Sequence, residues 1–461
     1  MNMSKKYVFV LIMALFITSV INVHAITFKG VVSDSVNGIK VKDVQVSTGG
    51  KSAFTDENGY FSFDSPGTPG DDYILTFIKD ETEVKINVSA DQVGNIDAKI
   101  KFKYPLRNIY HLFENYPERL GFGPNEPTQA NTQCKGFWPN NSTEEGHPCY
   151  KIPDYIGGQL HRHNMIFIGE RYRIIKLIKD GEIIWKYNTK NEPENNDIWV
   201  LSNGHVLYAH QWYIEEVTPD KQVVWTIKMP GEKRYKVDPE VHSCQPIGQD
   251  TVVFLVNYPE GARIETYDKK TRTHTKSPLL EGDYKLNDPH GQARRLRVRA
   301  NRNYVVSTMG DNYFHEYDSN FKLIHSFTSP NMGGMWGGVP LKNGNYILQR
   351  ESQRTTVEMD RDGNVVWQVS LDELGPQLID LGVPEGVFNE ITKTQMCERL
   401  VNGNTVMFIR GCRDNRPQCL EVTPDKKVVW ILQDRHRLGD GLHAHFLEQP
   451  GYPEIPGDIE H

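Results

Sequence analysis

Cysteine is scarce in this chain: six in 461 residues, no two adjacent and none in a Cys-x-x-Cys. That removes dithiol redox chemistry and a zinc ribbon from consideration. No GxSxG, P-loop or dinucleotide fingerprint occurs. Charge of one sign is also lacking. A formal net charge of −7 gives no basic surface for nucleic acid. Long apolar runs are absent but for one, YVFVLIMALFITSVINV, which follows Lys5 and Lys6 and ends at Val23-His24-Ala25. A basic start, an apolar middle and a small final residue describe a secretory signal. Residues 1–25 are therefore expected to direct export to the periplasm or beyond, with cleavage after Ala25. A membrane anchor is the competing expectation, but the run is slightly short and no cationic cluster follows it. No stable membrane insertion is expected once the signal is removed.

What remains is an ordinary soluble composition, 38% hydrophobic and 24% charged, long enough for two or three domains. In an oxidising compartment Cys134 could bridge Cys149, and Cys412 could bridge Cys419, each closing a short loop. Cys244 and Cys397 fall in apparent strands and read as buried thiols.

Residues 27–101 carry short alternating segments (FKGVVSD, KVKDVQVST, KSAFTD, YFSFDS, YILTFIKD) separated by Gly, Asp and Asn, the pattern of an antiparallel β-sandwich. The phrase VKDVQVSTGGKSAFTDENGYFSF resembles the carboxypeptidase regulatory-like domain, a transthyretin-like sandwich. The resemblance implies a spacer or docking module without chemistry of its own. Residues 102–155 are rich in Pro, Asn, Gly and aromatics and read as a linker packed on the next domain.

From 156 to 451 the chain repeats itself. EVTPDKQVVW at 216–225 returns as EVTPDKKVVW at 421–430, as EMDRDGNVVW at 358–367 and as KLIKDGEIIW at 176–185. Ahead of most copies stands an Asn-Gly phrase: VLSNGHVLYAH at 200–210, PLKNGNYILQR at 340–350 and RLVNGNTVMFIR at 399–410. Each phrase is a hairpin, so each unit is a four-stranded antiparallel sheet, repeating every ~40–60 residues. The expected fold is all-β: a β-propeller of six blades (156–189, 195–231, 240–282, 288–330, 334–371 and 393–434), preceded by the small sandwich. LHAHFLEQPG at 442–451 reads as one more inner strand, which completes the first blade or joins part of 102–155 in a seventh. Trp185, Trp225, Trp367 and Trp430 end the decapeptides and are expected to wedge between blades; stacking on sugars or a quinone is the functional alternative.

Ligands of propellers bind at a channel mouth, fed by the starts of inner strands and the ends of second strands. Those places hold Asp197, His242, His290, Arg294, Trp336, Gln395, Glu398, His443 and His445, then His210, Asn257, Arg350 and Arg410. Each alone is explained as a satisfied strand-end residue; together they make a candidate site. His242, His290 and His210 are candidate catalytic bases or nucleophiles, with Arg294 and Arg350 as anion holders. Asn257, Arg410, Trp336 and Gln395 are candidate substrate contacts. His443-x-His445 places two imidazoles on one strand face and can chelate a divalent metal with His242 or His290. His161-x-His163 falls near the opposite rim. Asp197 and Glu398 are the only rim carboxylates found, which argues against a two-carboxylate glycosidase.

The phrases LVNGNTV and EVTPDKKVVW resemble the quinoprotein-like propeller repeats of exported bacterial proteins and those of aryl-sulfate sulfotransferases. Quinone dehydrogenases carry eight blades and often an adjacent cysteine pair. This chain has neither, so PQQ is not expected. The sulfotransferase resemblance implies a histidine that takes the sulfuryl group, a part open to His290, His242 or His443 with Arg294 and Arg350 around it. A looser resemblance, to exported propellers that are polysaccharide lyases or unusual glycosidases, implies a histidine base and an arginine for a uronate carboxylate. The expected partner is a carbohydrate or small anionic substrate. Three functions follow in order: action on an anionic glycan as lyase or hydrolase, non-catalytic binding of glycan or protein, and sulfuryl transfer.

Overall fold

A computed structural model of the chain describes residues 24–35, 40–41, 43–56, 58–79, 82–101, 110–114, 160–169, 174–189, 194–282, 284–309, 312–328, 335–389, 391–410, 416–433, 438 and 441–461. The export signal, the Cys134–Cys149 pair and most of 102–155 lie outside them. The chain forms two compact units, split near residue 100.

The first unit holds a three-stranded and a four-stranded sheet. Its alternating strands turn Phe28, Val46, Phe61, Leu75 and Phe77 inward, all fully buried or nearly so. Phe61 of one sheet meets Phe77 of the other edge to face at 6.1 Å.

The second unit is a β-propeller: among the described residues it holds six four-stranded antiparallel sheets, five of them built in chain order from the inner strand outward. The first sheet differs. Its innermost strand, His443–Phe446, comes from near the end of the sequence and pairs antiparallel with Met165–Ile168.

The repeated phrases owe their co-occurrence to one bond. In four of the six sheets the third strand carries a glutamate whose side chain is buried in the sheet stack: Glu216, Glu316, Glu358 and Glu421. A buried carboxylate must be paired. His205, Asn303, Asn345 and Asn404 on the turn of the preceding hairpin supply the first partner, at 2.6, 2.7, 2.7 and 2.6 Å. The following sheet supplies the second: Lys269 to Glu216 at 3.1 Å, Arg361 to Glu316 at 3.2 Å, Arg399 to Glu358 at 2.7 Å and Arg162 to Glu421 at 2.8 Å. The decapeptide tryptophans reach the same way. Trp185 and Trp367 donate their indole N–H to the carbonyls of Pro219 and Pro424 in the next sheet, and Trp225 packs on Tyr267 at 4.9 Å. The glycines of the Asn-Gly turns, Gly204, Gly344 and Gly403, hold φ of 85°, 93° and 86°, open to glycine at no steric cost.

Cys244 and Cys397 are buried thiols. The expected Cys412–Cys419 bridge is corrected: Cys419 is a free thiol, buried in an apolar cluster with Phe408 and Trp430. Its strand turns it into the core; Cys412 lies outside the described residues.

Where the sixth sheet meets the first, His163 stands between two carboxylates. Its Nε2 is 3.0 Å from Glu421 and its Nδ1 is 2.5 Å from Glu448, which follows the closing strand. Burial disfavours the charged ring, but the two carboxylates outweigh it and raise the pKa above the ordinary value of 6.5. A raised folded pKa contributes stability that is complete below about pH 6.5 and is lost as pH rises through the folded value. Urea unfolding should therefore show wild type losing stability between pH 6 and 9. His163→Gln should be less stable at pH 6 and flatter across that window. Parallel pH profiles for the two proteins would show that this clasp carries no charge-dependent stability.

Candidate active site at the channel mouth

Every inner strand of the five sequentially built sheets breaks register once, near its start. The breaks fall between Asn195 and Asp197, Val241 and Ser243, Ala293 and Arg295, Met335 and Gly337, and Thr394 and Cys397. The residues left out of the pairing are Asn196, His242, Arg294, Trp336, and Gln395 with Met396. A β-bulge re-aims the side chain of its extra residue and is common beside active sites. The bulges here deliver His242, Arg294 and Trp336 to one place.

That place also receives His290, from the one-turn 3-10 helix Pro289–Gly291. Asn257 fixes this segment, donating from Nδ2 to the carbonyls of Pro289 at 2.8 Å and Ala293 at 2.9 Å. At the centre lies Glu240. Its Oε2 is 3.0 Å from Nε2 of His242 and 2.8 Å from Nδ1 of His290. The opposite ring nitrogens face one guanidinium: Arg294 Nη1 is 2.7 Å from His242 Nδ1, and Nη2 is 2.8 Å from His290 Nε2. A guanidinium only donates. Both imidazoles are therefore neutral, each with its proton toward Glu240 and its lone pair toward Arg294. Trp336 lies under Arg294, 4.3 Å from its centre. Glu194 stands beside the group, 3.6 Å from Arg294. Tyr235, largely exposed, tilts over the His290 ring at 4.4 Å.

The electrostatics follow from burial. Burial, then the Arg294 charge, push His242 down to about 3, although Glu240 opposes them. Burial alone would raise Glu240, yet its bonds from His242 and His290 hold it well below the carboxylate range. The ligand atoms of Glu240, His242 and His290 all lie within 4.8 Å of one another, close enough to share a metal ion.

One step further along the inner strands is a second charged layer. Asp197 pairs with Arg295 and Arg297, both at 2.8 Å, and accepts from Ser243 Oγ at 2.7 Å. Burial raises the Asp197 carboxyl, and the two arginines override it to well below its ordinary range. His443 belongs here. Its Nε2 is 2.7 Å from Glu398 and its Nδ1 is 3.4 Å from Asp197. His445 accepts from the Val200 N–H at Nδ1 and meets Trp199 edge-on at 5.4 Å. His443, His445 and Glu398 line a pocket with Trp199, Arg297 and Glu460.

The structure thus brings together His242, His290, Arg294 and Trp336 of the residues expected at the mouth. It does not place His443 and His445 with them as metal ligands; Glu240 takes that position, because His443 is drawn to Glu398. Asn257 positions the His290 segment rather than facing a ligand. The His210 ring stacks on Tyr213 at 4.5 Å, and Arg350 turns to Gln353 of its own hairpin at 3.4 Å. Gln395 is fully buried, and the Arg410 side chain lies outside the described residues. His163 forms the ring clasp. The expectation of no further rim carboxylates is corrected: Glu194 and Glu240 both stand there. Glu240 precedes His242 by two residues, and that same-face spacing was its one signal in the sequence.

No family model and no curated protein matches this chain. A solved protein of unknown function from Bacteroides caccae is similar at 19% identity over 61% of this chain and 97% of its own, with a TM-score of 0.50. A catalytically inactive virginiamycin B lyase from Staphylococcus aureus, solved with quinupristin, is similar at 10% identity over 60% of this chain and 88% of its own, with a TM-score of 0.41. The WD40 propeller domain of Doa1 stands at 9% over 61% and 87%, with a TM-score of 0.40. At these identities the likeness concerns the fold alone.

The two layers should separate on mutation. Asp197→Asn leaves two buried guanidinium groups short of countercharge, and its cost should be about 3–5 kcal/mol in urea unfolding followed by tryptophan fluorescence. A cost under ~1 kcal/mol would remove the second layer from the structural framework.

Proposed function

We propose that this protein is an exported enzyme that abstracts a proton beside a carboxylate, acting as a lyase on a uronate-bearing glycan. The observation that supports it is the approach of both histidine lone pairs to Arg294 at 2.7 and 2.8 Å. Elimination needs a group to take the α-proton and a cation to hold the carboxylate as it gains enolate character. A substrate carboxylate that accepts the Arg294 N–H pair draws the guanidinium off the imidazoles. The Glu240–His242–His290 unit is then free to receive the proton. The C–O bond to the leaving sugar breaks as the C=C bond forms, and the leaving oxygen takes a proton from the Tyr235 hydroxyl or from solvent. Trp336 keeps the guanidinium plane in place. The six sheets of the second unit serve in this reading as the six blades of the propeller, of the quinoprotein-like repeat type, and the first unit as a sandwich-type docking module.

The same histidines beside an arginine also suit sulfuryl transfer, with an imidazole as nucleophile. Product separates the two. A panel of uronate-containing polysaccharides should yield an unsaturated uronate absorbing in the near ultraviolet. Aryl sulfates with a phenolic acceptor should yield none. His290→Ala should lower kcat/KM by about 10²–10⁴-fold, and Arg294→Lys should raise KM by losing the paired contact. Phenol release dependent on acceptor would transfer the site to sulfuryl chemistry. Neither product, with retained glycan binding, would make the propeller a binding platform.

A further inference from the structure

The mouth cluster gathers the carboxylates of Glu194 and Glu240, two imidazoles that each face Arg294 through a ring nitrogen, and the Arg294 guanidinium. Their side chains are buried, with Glu240 at 0% and His242 at 1% exposure. Buried carboxylates and imidazoles brought this close are the donor types that hold a metal ion.

The donor set specifies the partner. Glu240 Oε2 lies 3.0 Å from His242 Nε2 and 2.8 Å from His290 Nδ1. Those separations suit atoms that share one ion at roughly 2.0–2.2 Å. On loading, each imidazole must carry its proton on the outer nitrogen, where Arg294 now donates. Glu194 is the acceptor in reach, its oxygens 4.0 Å from His242 Nδ1 and 3.8 Å from His290 Nε2. A carboxylate that takes the outer N–H of a metal-bound histidine is the usual support of such centres. Arg294 would then leave the imidazoles and face the channel over Trp336.

We propose that Glu240, His242 and His290 bind one divalent first-row metal ion of the zinc class, with Glu194 as the outer carboxylate. Two nitrogens and one carboxylate favour zinc over calcium. Three protein ligands leave a position open for water or substrate. The ion adds two positive charges beside Arg294, which suits an anionic substrate. The inference rests on the residues assigned to elimination above, but a loaded imidazole, protonated on its outer nitrogen, has no lone pair to spare, so a loaded centre would leave the α-proton to a water at the open position; metal binding is measured without substrate and stands or falls separately.

The full chain, untagged and stripped with chelator, should be titrated calorimetrically with Zn²⁺, Mn²⁺ and Ca²⁺. One equivalent of Zn²⁺ should bind, with Ca²⁺ at least 100-fold weaker. Co²⁺ substitution of wild type should give visible bands of a low-coordinate nitrogen–oxygen site, a readout that needs no variant. Glu194→Gln should weaken Zn²⁺ by about 10–100-fold, and Arg294→Gln should not weaken it. His290→Ala and Glu240→Gln, checked for folding by circular dichroism, should abolish stoichiometric binding. Absence of a stoichiometric ion in wild type, preference for Ca²⁺, or undiminished Zn²⁺ binding by folded His290→Ala and Glu240→Gln would overturn the proposal. Metal binding without lyase product would sink the elimination reading alone.

Discussion

The propeller depends on carboxylates that no single sheet can satisfy. Glu216, Glu316, Glu358 and Glu421 each take one bond from their own sheet's turn and a second from the sheet that follows. The first bond fixes the two hairpins of a sheet in register. The second fixes one sheet against the next. The two repeated phrases persist together because each supplies half of the same contact. The exceptions are informative. In the third sheet Glu265 is met by Tyr258 and His274 of its own sheet. In the first sheet Lys176 stands at the matching position, fully buried.

The channel is organised by a different device, the bulge near the start of each inner strand. Regular pairing would send alternate side chains to the same two faces along its whole length. One extra residue changes which side chains point where, and five sheets do this at the same level. His242, Arg294 and Trp336 gather at the mouth for that reason. Asp197, Arg295, Arg297 and His443 meet in their own layer beyond it. The first group centres on imidazoles around a carboxylate and a guanidinium; the second is a network of carboxylates and arginines.

The repeats were legible because a hairpin leaves local signs: an Asn-Gly turn, a Thr-Pro-Asp-Lys turn, a tryptophan at a fixed distance. His242, His290, Arg294 and Trp336 could be gathered from strand starts. The bulges could not be read, since an extra residue in a strand has no residue type of its own. Counting by alternation therefore put His443, His445 and Glu398 on the same rim as His242. Glu240 opens the third blade, but its place at the rim shows only once His242 is seen to bulge out of the pairing. Glu194 precedes its strand as a single bridging residue and carries no pattern at all. Cys419 looked like one end of a short loop, and only its strand pairing shows that it faces the core.

The first sheet, finally, is assembled from two distant parts of the chain, with His443–Phe446 laid against Met165–Ile168. A chain made from its beginning must carry Met165–Ile168 through nearly the whole of synthesis with one backbone edge unpaired. Such an edge invites pairing with other chains, and closing so long a loop is slow. The ring is thus a structure whose final strand arrives last, and until it does every sheet before it lies in an open arc rather than a circle. That delay sets a window in which holding proteins, not the propeller's own contacts, decide between a closed ring and an aggregate.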